Sequence, residues 1–339
     1  MTPAILFSGF NLNRYRALVT CIGGFTPVDL SHPFTPVAKA TVPTMEGSNY
    51  PYGLAVASNT KFALGGSNIA PSLIPVDLTN PFAPVVHAGI SLGAGGYAYQ
   101  AHISPDCTFA LVPDQGNSRV IPFSLANPMV PVAGTPVTVG VGGRCCPISP
   151  DGTWALATHN NDSFVVPLDL TNPMIPVVKP HVSVGAGAQA ACISADGRFA
   201  LVALNAAGLV VLDTTTPLAP TVLATLTGSW TNLRGVAVSR DHKFALMTDA
   251  TLNAVIPVLL TDLHNPVAMS AVAVGAGPRG VSISSDRRFA IVTNGLAGTA
   301  TFLDLTPLSL PTPLVPTVKA TISVGAGCYS VGPTMIYFR

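Results

Sequence analysis

Seven positions along the 339-residue chain carry a large polar side chain just after a glycine-containing loop: Tyr52, Tyr97, Arg144, Gln189, Arg234, Arg279 and Tyr329. Their spacings are 45, 47, 45, 45, 45 and 50 residues. A guanidinium is a permanently charged fork that pairs with carboxylate or phosphate, and a tyrosine adds a ring face and a hydroxyl. Gathered in one place, three arginines interleaved with tyrosines make an anion- or carbohydrate-binding mouth. The competing role for such arginines is to hydrogen-bond the carbonyls of neighbouring loops.

A second polar set is Asp114, Gln115, Asn117, His159, Asn160, Asn161, Asp162, Asn205, Asp249, Asn253 and Asn294. Asp and Asn oxygens are calcium ligands, which makes Asp114, Asp162 and Asp249 the candidate metal residues. They are equally ordinary turn formers. Glu46, the sole glutamate, lies in a loop that departs from the rule of its sister loops, and so does Trp230. Both are candidate recognition residues, since loops carry function. The six cysteines, Cys21, Cys107, Cys145, Cys146, Cys192 and Cys328, form no CxxC and no His/Cys metal spacing. Cys145 and Cys146 adjoin on one strand, so their side chains point to opposite faces. Whether Cys145, Cys146, Cys192 or Cys328 is oxidised is open at this level. The seven histidines are scattered, and no P-loop, HExxH, GxSxG or CxxCH motif is present. Asn161-Asp162-Ser163 is a glycosylation sequon.

The elements that must position these residues repeat. A turn such as Ser149-Pro150-Asp151-Gly152 is followed by an aromatic-Ala-Leu strand, then by Leu168-Asp169-Leu170-Thr171-Asn172-Pro173, then by a Val-Gly-Ala-Gly loop. The alanine recurs at Ala17, Ala63, Ala110, Ala155, Ala200, Ala245 and Ala290, at intervals of 46, 47, 45, 45, 45 and 45 residues. Repeats of about 40–50 residues with four short β-segments each are the signature of propeller blades. The expectation is an all-β, seven-bladed β-propeller with four antiparallel strands per blade and about 45 residues per repeat, forming a single domain over residues 1–339. The aromatics Phe62, Phe109, Trp154, Phe199, Phe244 and Phe289 then fill the wedge between blades. The aspartates Asp29, Asp77, Asp169, Asp213 and Asp304 cap turns rather than catalyse. Two stretches, Ala4–Asn11 and Tyr329–Phe338, compete for the inner-strand place that closes the ring between the N- and C-terminal segments.

Composition agrees. Only 9% of residues are charged and the net charge is +1, with no basic cluster to make a nucleic-acid footprint. Mean hydropathy is +0.50, yet Pro and Gly break every long uncharged run, so no membrane-spanning helix is expected. The first residues lack the basic start and long apolar core of a secretory signal.

The phrase Ser-Pro-Asp-Gly-x-aromatic-Ala-Leu-Val resembles the YVTN-type propeller repeat, and Asp-Leu-Thr-Asn-Pro-x-x-Pro-Val resembles the LVIVD-type repeat. The resemblance covers the whole chain. It implies a propeller and an extracytoplasmic or cell-surface location, in families that include surface and scaffold proteins, with lactonases on similar propellers. The low surface charge, against about 25% in ordinary domains, favours a non-enzymatic scaffold for binding and assembly, partnered by another protein or by copies of itself. The alternative is a lactonase-like, metal-dependent hydrolase, with calcium as its candidate ion, acting at the axial mouth.

Overall fold

The strand that opens on the repeated aromatic is covered on both faces. Phe62–Ser67, Phe109–Asp114, Phe199–Leu204, Phe244–Asp249 and Phe289–Asn294 are buried at every residue. Successive side chains of a strand point to opposite faces, so such a strand needs apolar cover on both sides. A lone sheet cannot supply it. A ring of stacked sheets can.

The computed structural model describes residues 15–45, 51–67, 72–309, 315–330 and 336–337. They form seven antiparallel sheets, the blades of a propeller. The fifth blade is the most regular, running outward through Ala188–Ile193, Phe199–Leu204, Gly208–Asp213 and Thr221–Leu226. In the fourth blade the outer strand is split, with Val177–Val178 and Val182–Ser183 both pairing with Phe164–Asp169. Among the described residues the helical content is the 3-10 turn Thr306–Ser309, and no helix is long and apolar enough to cross a membrane.

The turn between the first and second strands is built by side chains. In the fifth blade Ser194 Oγ donates to Asp196 Oδ1 at 2.6 Å and accepts from the buried Phe199 amide at 3.1 Å. The same pair of bonds recurs at Ser104, Ser149, Ser239 and Ser284. The aspartates at the ends of third strands accept from the amide and hydroxyl two residues on, as Asp213 does from Thr215 at 2.8 and 2.7 Å. They hold turns, as their repetition implied.

Each pair of adjacent blades encloses its own apolar cluster, and the repeated aromatics lie inside these clusters. Cys145 faces the cluster between blades four and five, and Cys146 the one between three and four, on opposite faces as expected. All six cysteines are free thiols.

The C-terminal segment closes the ring. Ile336–Tyr337 pairs antiparallel with Tyr15–Cys21. Upstream, the Thr20 amide donates to the Ser330 carbonyl at 3.0 Å and the Ser330 amide donates to Thr20 Oγ1 at 2.9 Å. The inner strand of the first blade thus comes from the far end of the chain. The rival stretch, Ala4–Asn11, lies outside the described residues.

Replacing Ser194 by Ala strands the buried Phe199 amide and should cost about 1–3 kcal/mol in urea unfolding. Thr215→Ala, at an exposed turn, should cost about 0.5–1.5 kcal/mol, so the ratio of the two tests whether burial sets the value of these turn bonds.

Candidate functional site

Strand pairing defines which residues share one level around the axis. Pro51 lies opposite Ser67, Ala98 opposite Asp114, Gly143 opposite His159, Ala188 opposite Leu204, Leu233 opposite Asp249 and Pro278 opposite Asn294. The residue after each is Tyr52, Tyr99, Arg144, Gln189, Arg234 or Arg279, and Tyr329 joins them from the C-terminal segment, beside the Ser330 that bonds Thr20. In the second, fifth, sixth and seventh blades a bulge falls at this level. A bulge leaves one residue out of the ladder and re-aims its side chain.

Six of the seven expected ring residues stand at this level, and Tyr97 does not. Relative to the sister loop ending Gly187-Ala188, Gly96 and Tyr97 are two extra residues in the loop ending Gly95. Tyr97 is 46% exposed and its amide donates to Asp114 Oδ1 at 2.8 Å. Tyr99 takes the ring place. The signal was in the sequence, since the framework alanine also steps by 47 residues between Ala63 and Ala110.

The ring is asymmetric. Tyr52 stacks on Tyr329 at 4.3 Å between centroids and lies 5.3 Å from the Tyr99 ring. Arg279 Cζ sits 4.6 Å over Tyr329 at one end of this arc, and Arg144 Cζ sits 4.3 Å over Tyr99 at the other. These are cation–π distances. Arg234 and Gln189 complete the circle. Burial, then the like charges of Arg279 and Arg144, lower the Arg234 pKa. Burial raises that of Tyr52, which keeps its hydroxyl protonated. The Nε atoms of Arg144 and Arg234 are buried without a hydrogen-bond partner. Among the described residues no carboxylate pairs with any of the three arginines.

Below the ring the inner strands nearly touch. A Cβ on Gly53 would fall 2.3 Å from the Tyr99 carbonyl oxygen, and one on Gly235 2.3 Å from that of Arg279. Only glycine fits such an approach. The axial cavity holds about 360 Å³ and is lined by Tyr52, Tyr99, Gln189, Arg234, Arg279 and Tyr329, then by Gln100, His102 and Cys192, and farther along by Val56, Ile103, Ile148, Ile193, Val238 and Ile283. Burial lowers His102 to about 3 and leaves its Nε2 unpartnered, so the imidazole is neutral. Sequence reasoning missed His102, because its strand position repeats as Ala55, Pro147 and Cys192 and gives no polar column.

The three candidate metal residues do not converge. Asp114 accepts from the Tyr97 amide, Asn117 Nδ2 and Arg119 Nε, all within 2.9 Å. Asp162 Oδ2 takes the Val141 amide at 2.6 Å. Asp249 takes four backbone amides, from Thr231, Asn232, Thr251 and Leu252. They anchor loops in three different blades, and among the described residues no group of three or more His, Cys, Asp or Glu side chains is placed to hold a metal ion. Calcium does not fit them. Trp230 is half-buried against the apolar cluster between blades five and six and is outside the cavity lining. Glu46 lies outside the described residues.

No family model matches the chain, and no curated protein does. Solved structures do match. One is a protein of Bacteroides uniformis provisionally named a 6-phosphogluconolactonase, with a TM-score of 0.83 and 12% identity over 94% of this chain and 99% of that one. A Bacteroides fragilis protein with the same provisional name gives 0.80 and 11%, over 97% and 99%. The periplasmic gluconolactonase PpgL of Pseudomonas aeruginosa gives 0.78 and 15%, over 93% and 97%. At such identities the likeness is one of fold, and membership in the YVTN-type or LVIVD-type families goes beyond it. These neighbours nevertheless correct the preference for a non-enzymatic scaffold. Gluconolactonases recur among them, and low charge, from which the scaffold was argued, is accounted for by blades buried on both faces.

His102 and His159 are held neutral by burial down to about 3 and about 4, whereas free imidazole takes up a proton near 6.5. Below about 6.5 the unfolded chain therefore binds more protons, and stability must fall as pH drops from there through about 4 toward about 3. The slope is at most about 1.4 kcal/mol per pH unit for each histidine. Urea midpoints at several pH values should show this, and His102→Asn should flatten the dependence.

Proposed function

We propose that the chain hydrolyses an anionic sugar lactone at the arginine–tyrosine ring. The observation that carries this reading is the presence of Arg234 and Arg279 in the cavity lining, with Arg144 stacked on the lining residue Tyr99, no carboxylate partner for any of the three among the described residues, and an unpartnered buried Nε on Arg144 and Arg234. Buried polar groups are normally satisfied, and like charges held together call for an anion. The fold likeness to proteins named as gluconolactonases supports the choice of a lactone. The Ser-Pro-Asp-Gly and Asp-Leu-Thr-Asn-Pro phrases support placing the blades with the YVTN-type and LVIVD-type repeats.

The chemistry asked of such a site is modest. A sugar lactone is an activated ester, and the main demand is to stabilise the oxyanion that develops when water attacks the carbonyl. Guanidinium groups hold the phosphate or carboxylate of the substrate. The protonated Tyr52 hydroxyl and a remaining guanidinium donate to the oxyanion in a partly dry cavity, where such donors are strongest. Neutral His102 lines the cavity below the ring with its Nε2 closed off from solvent, so it shapes the pocket and takes no proton from the attacking water.

Purified protein should accelerate ring opening of 6-phosphogluconolactone above the buffer rate, followed by acid release, and should act less well on uncharged gluconolactone. Arg234→Ala should lower kcat/KM about 100–1000-fold, mostly through kcat if it serves the oxyanion and through KM if it holds the anionic group. Hydrolysis of both lactones at the buffer rate by folded protein would overturn the reading.

A further inference from the structure

Cys21 and Cys328 meet at the seam where the ring closes. Cys21 ends the first described strand, Tyr15–Cys21, and Cys328 immediately precedes Tyr329 of the ring. They are 307 residues apart in sequence, yet their sulfurs are 3.8 Å apart. Both are buried, in the apolar cluster that joins the first blade to the seventh. Each thiol has a carbonyl for its proton, Cys21 Sγ donating to Val324 O at 2.8 Å and Cys328 Sγ to Gly325 O at 2.7 Å. Gly325 makes the room. A Cβ there would stand 3.2 Å from Cys21 Cβ and 3.3 Å from its sulfur.

We propose that Cys21 and Cys328 are a dithiol that forms a disulfide clasp across the ring closure. A disulfide needs sulfurs about 2.05 Å apart, so the pair must close by less than 2 Å, a distance within reach of side-chain rotation. A metal site is the rival use of two thiols, but among the described residues no third ligand joins them. Of the two, Cys21 is the readier nucleophile. The contact with Cys328 lowers its pKa and pushes that of Cys328 up.

The oxidant is a disulfide of low molecular weight, reached when the closing segment opens. The Cys21 thiolate attacks one of its sulfurs, forming a mixed disulfide and expelling one thiolate. Cys328 then loses its proton and attacks the Cys21 sulfur, expelling the second thiolate. Two protein thiols and one disulfide become one protein disulfide and two small thiols. The bond encloses nearly the whole described propeller, so it constrains the unfolded chain over a very long loop. It also prevents the seam from parting without breaking a covalent bond, so it should act chiefly on unfolding.

The experiment incubates wild-type protein with oxidised glutathione in dilute urea, returns it to buffer, and maps peptides by mass spectrometry without reduction. The expected result is a Cys21–Cys328 linked peptide with the loss of two titratable thiols, and unfolding in urea slowed at least about tenfold until dithiothreitol restores the rate. Cys328→Ser protein given the same treatment should show no slowing. Glutathione adducts alone, linkage through other cysteines, or a Cys21–Cys328 link that leaves the unfolding rate unchanged would each overturn the proposal. The wild-type arm decides the matter even where the variant folds poorly.

Discussion

Contact between neighbouring blades is the interaction on which everything else here depends. Each sheet carries apolar side chains on both faces, and each face is covered by the next sheet, giving one apolar cluster per interface. Burial of such faces is the dominant favourable term in folding. Because the second strand of a blade has no solvent face, it carries little charge beyond the loop-anchoring Asp114 and Asp249 at its end, which is how a chain with 9% charged residues remains an ordinary folded protein. The same logic makes the seam indispensable. Without the C-terminal inner strand the first blade would keep its apolar faces but lose the strand that lines the axis, and the interface holding Cys21, Phe289, Phe302 and Cys328 would be the one that parts.

The axis inherits its character from this packing. The inner strands converge until backbone meets backbone at Gly53 and Gly235, and in four blades a bulge turns the large ring side chain toward the opening. The ring residues occupy that level, and the repeat leaves them free to differ while the framework stays constant. The outcome is a symmetric scaffold with an asymmetric mouth, an arc of tyrosines flanked by arginines on one side and Gln189 and Arg234 on the other. Closure and site are also joined, since Tyr329, stacked on Tyr52, is carried by the segment that closes the ring.

The amino-acid sequence by itself determined the blade count, the strand order within a blade, the wedge aromatics and the turn aspartates. Each of these is local and repeated, so the period alone exposes it. It also marked most of the mouth, because a variable polar column in a constant framework stands out. What only the tertiary structure decided was of another kind. The 47-residue step from Ala63 to Ala110 signals an insertion without locating it, and pairing of Ala98 with Asp114 across the sheet puts Tyr99, not Tyr97, in the ring place. His102 became visible through the cavity it lines, since burial belongs to a surface assembled from several other blades. Asp114, Asp162 and Asp249 were candidate ligands until their carboxylates were seen anchoring loops in three separate blades, Asp114 also holding the Asn117 and Arg119 side chains. Cys21 and Cys328 lie at opposite ends of the chain, and only closure of the ring, a contact of the longest range the fold contains, brings their sulfurs together.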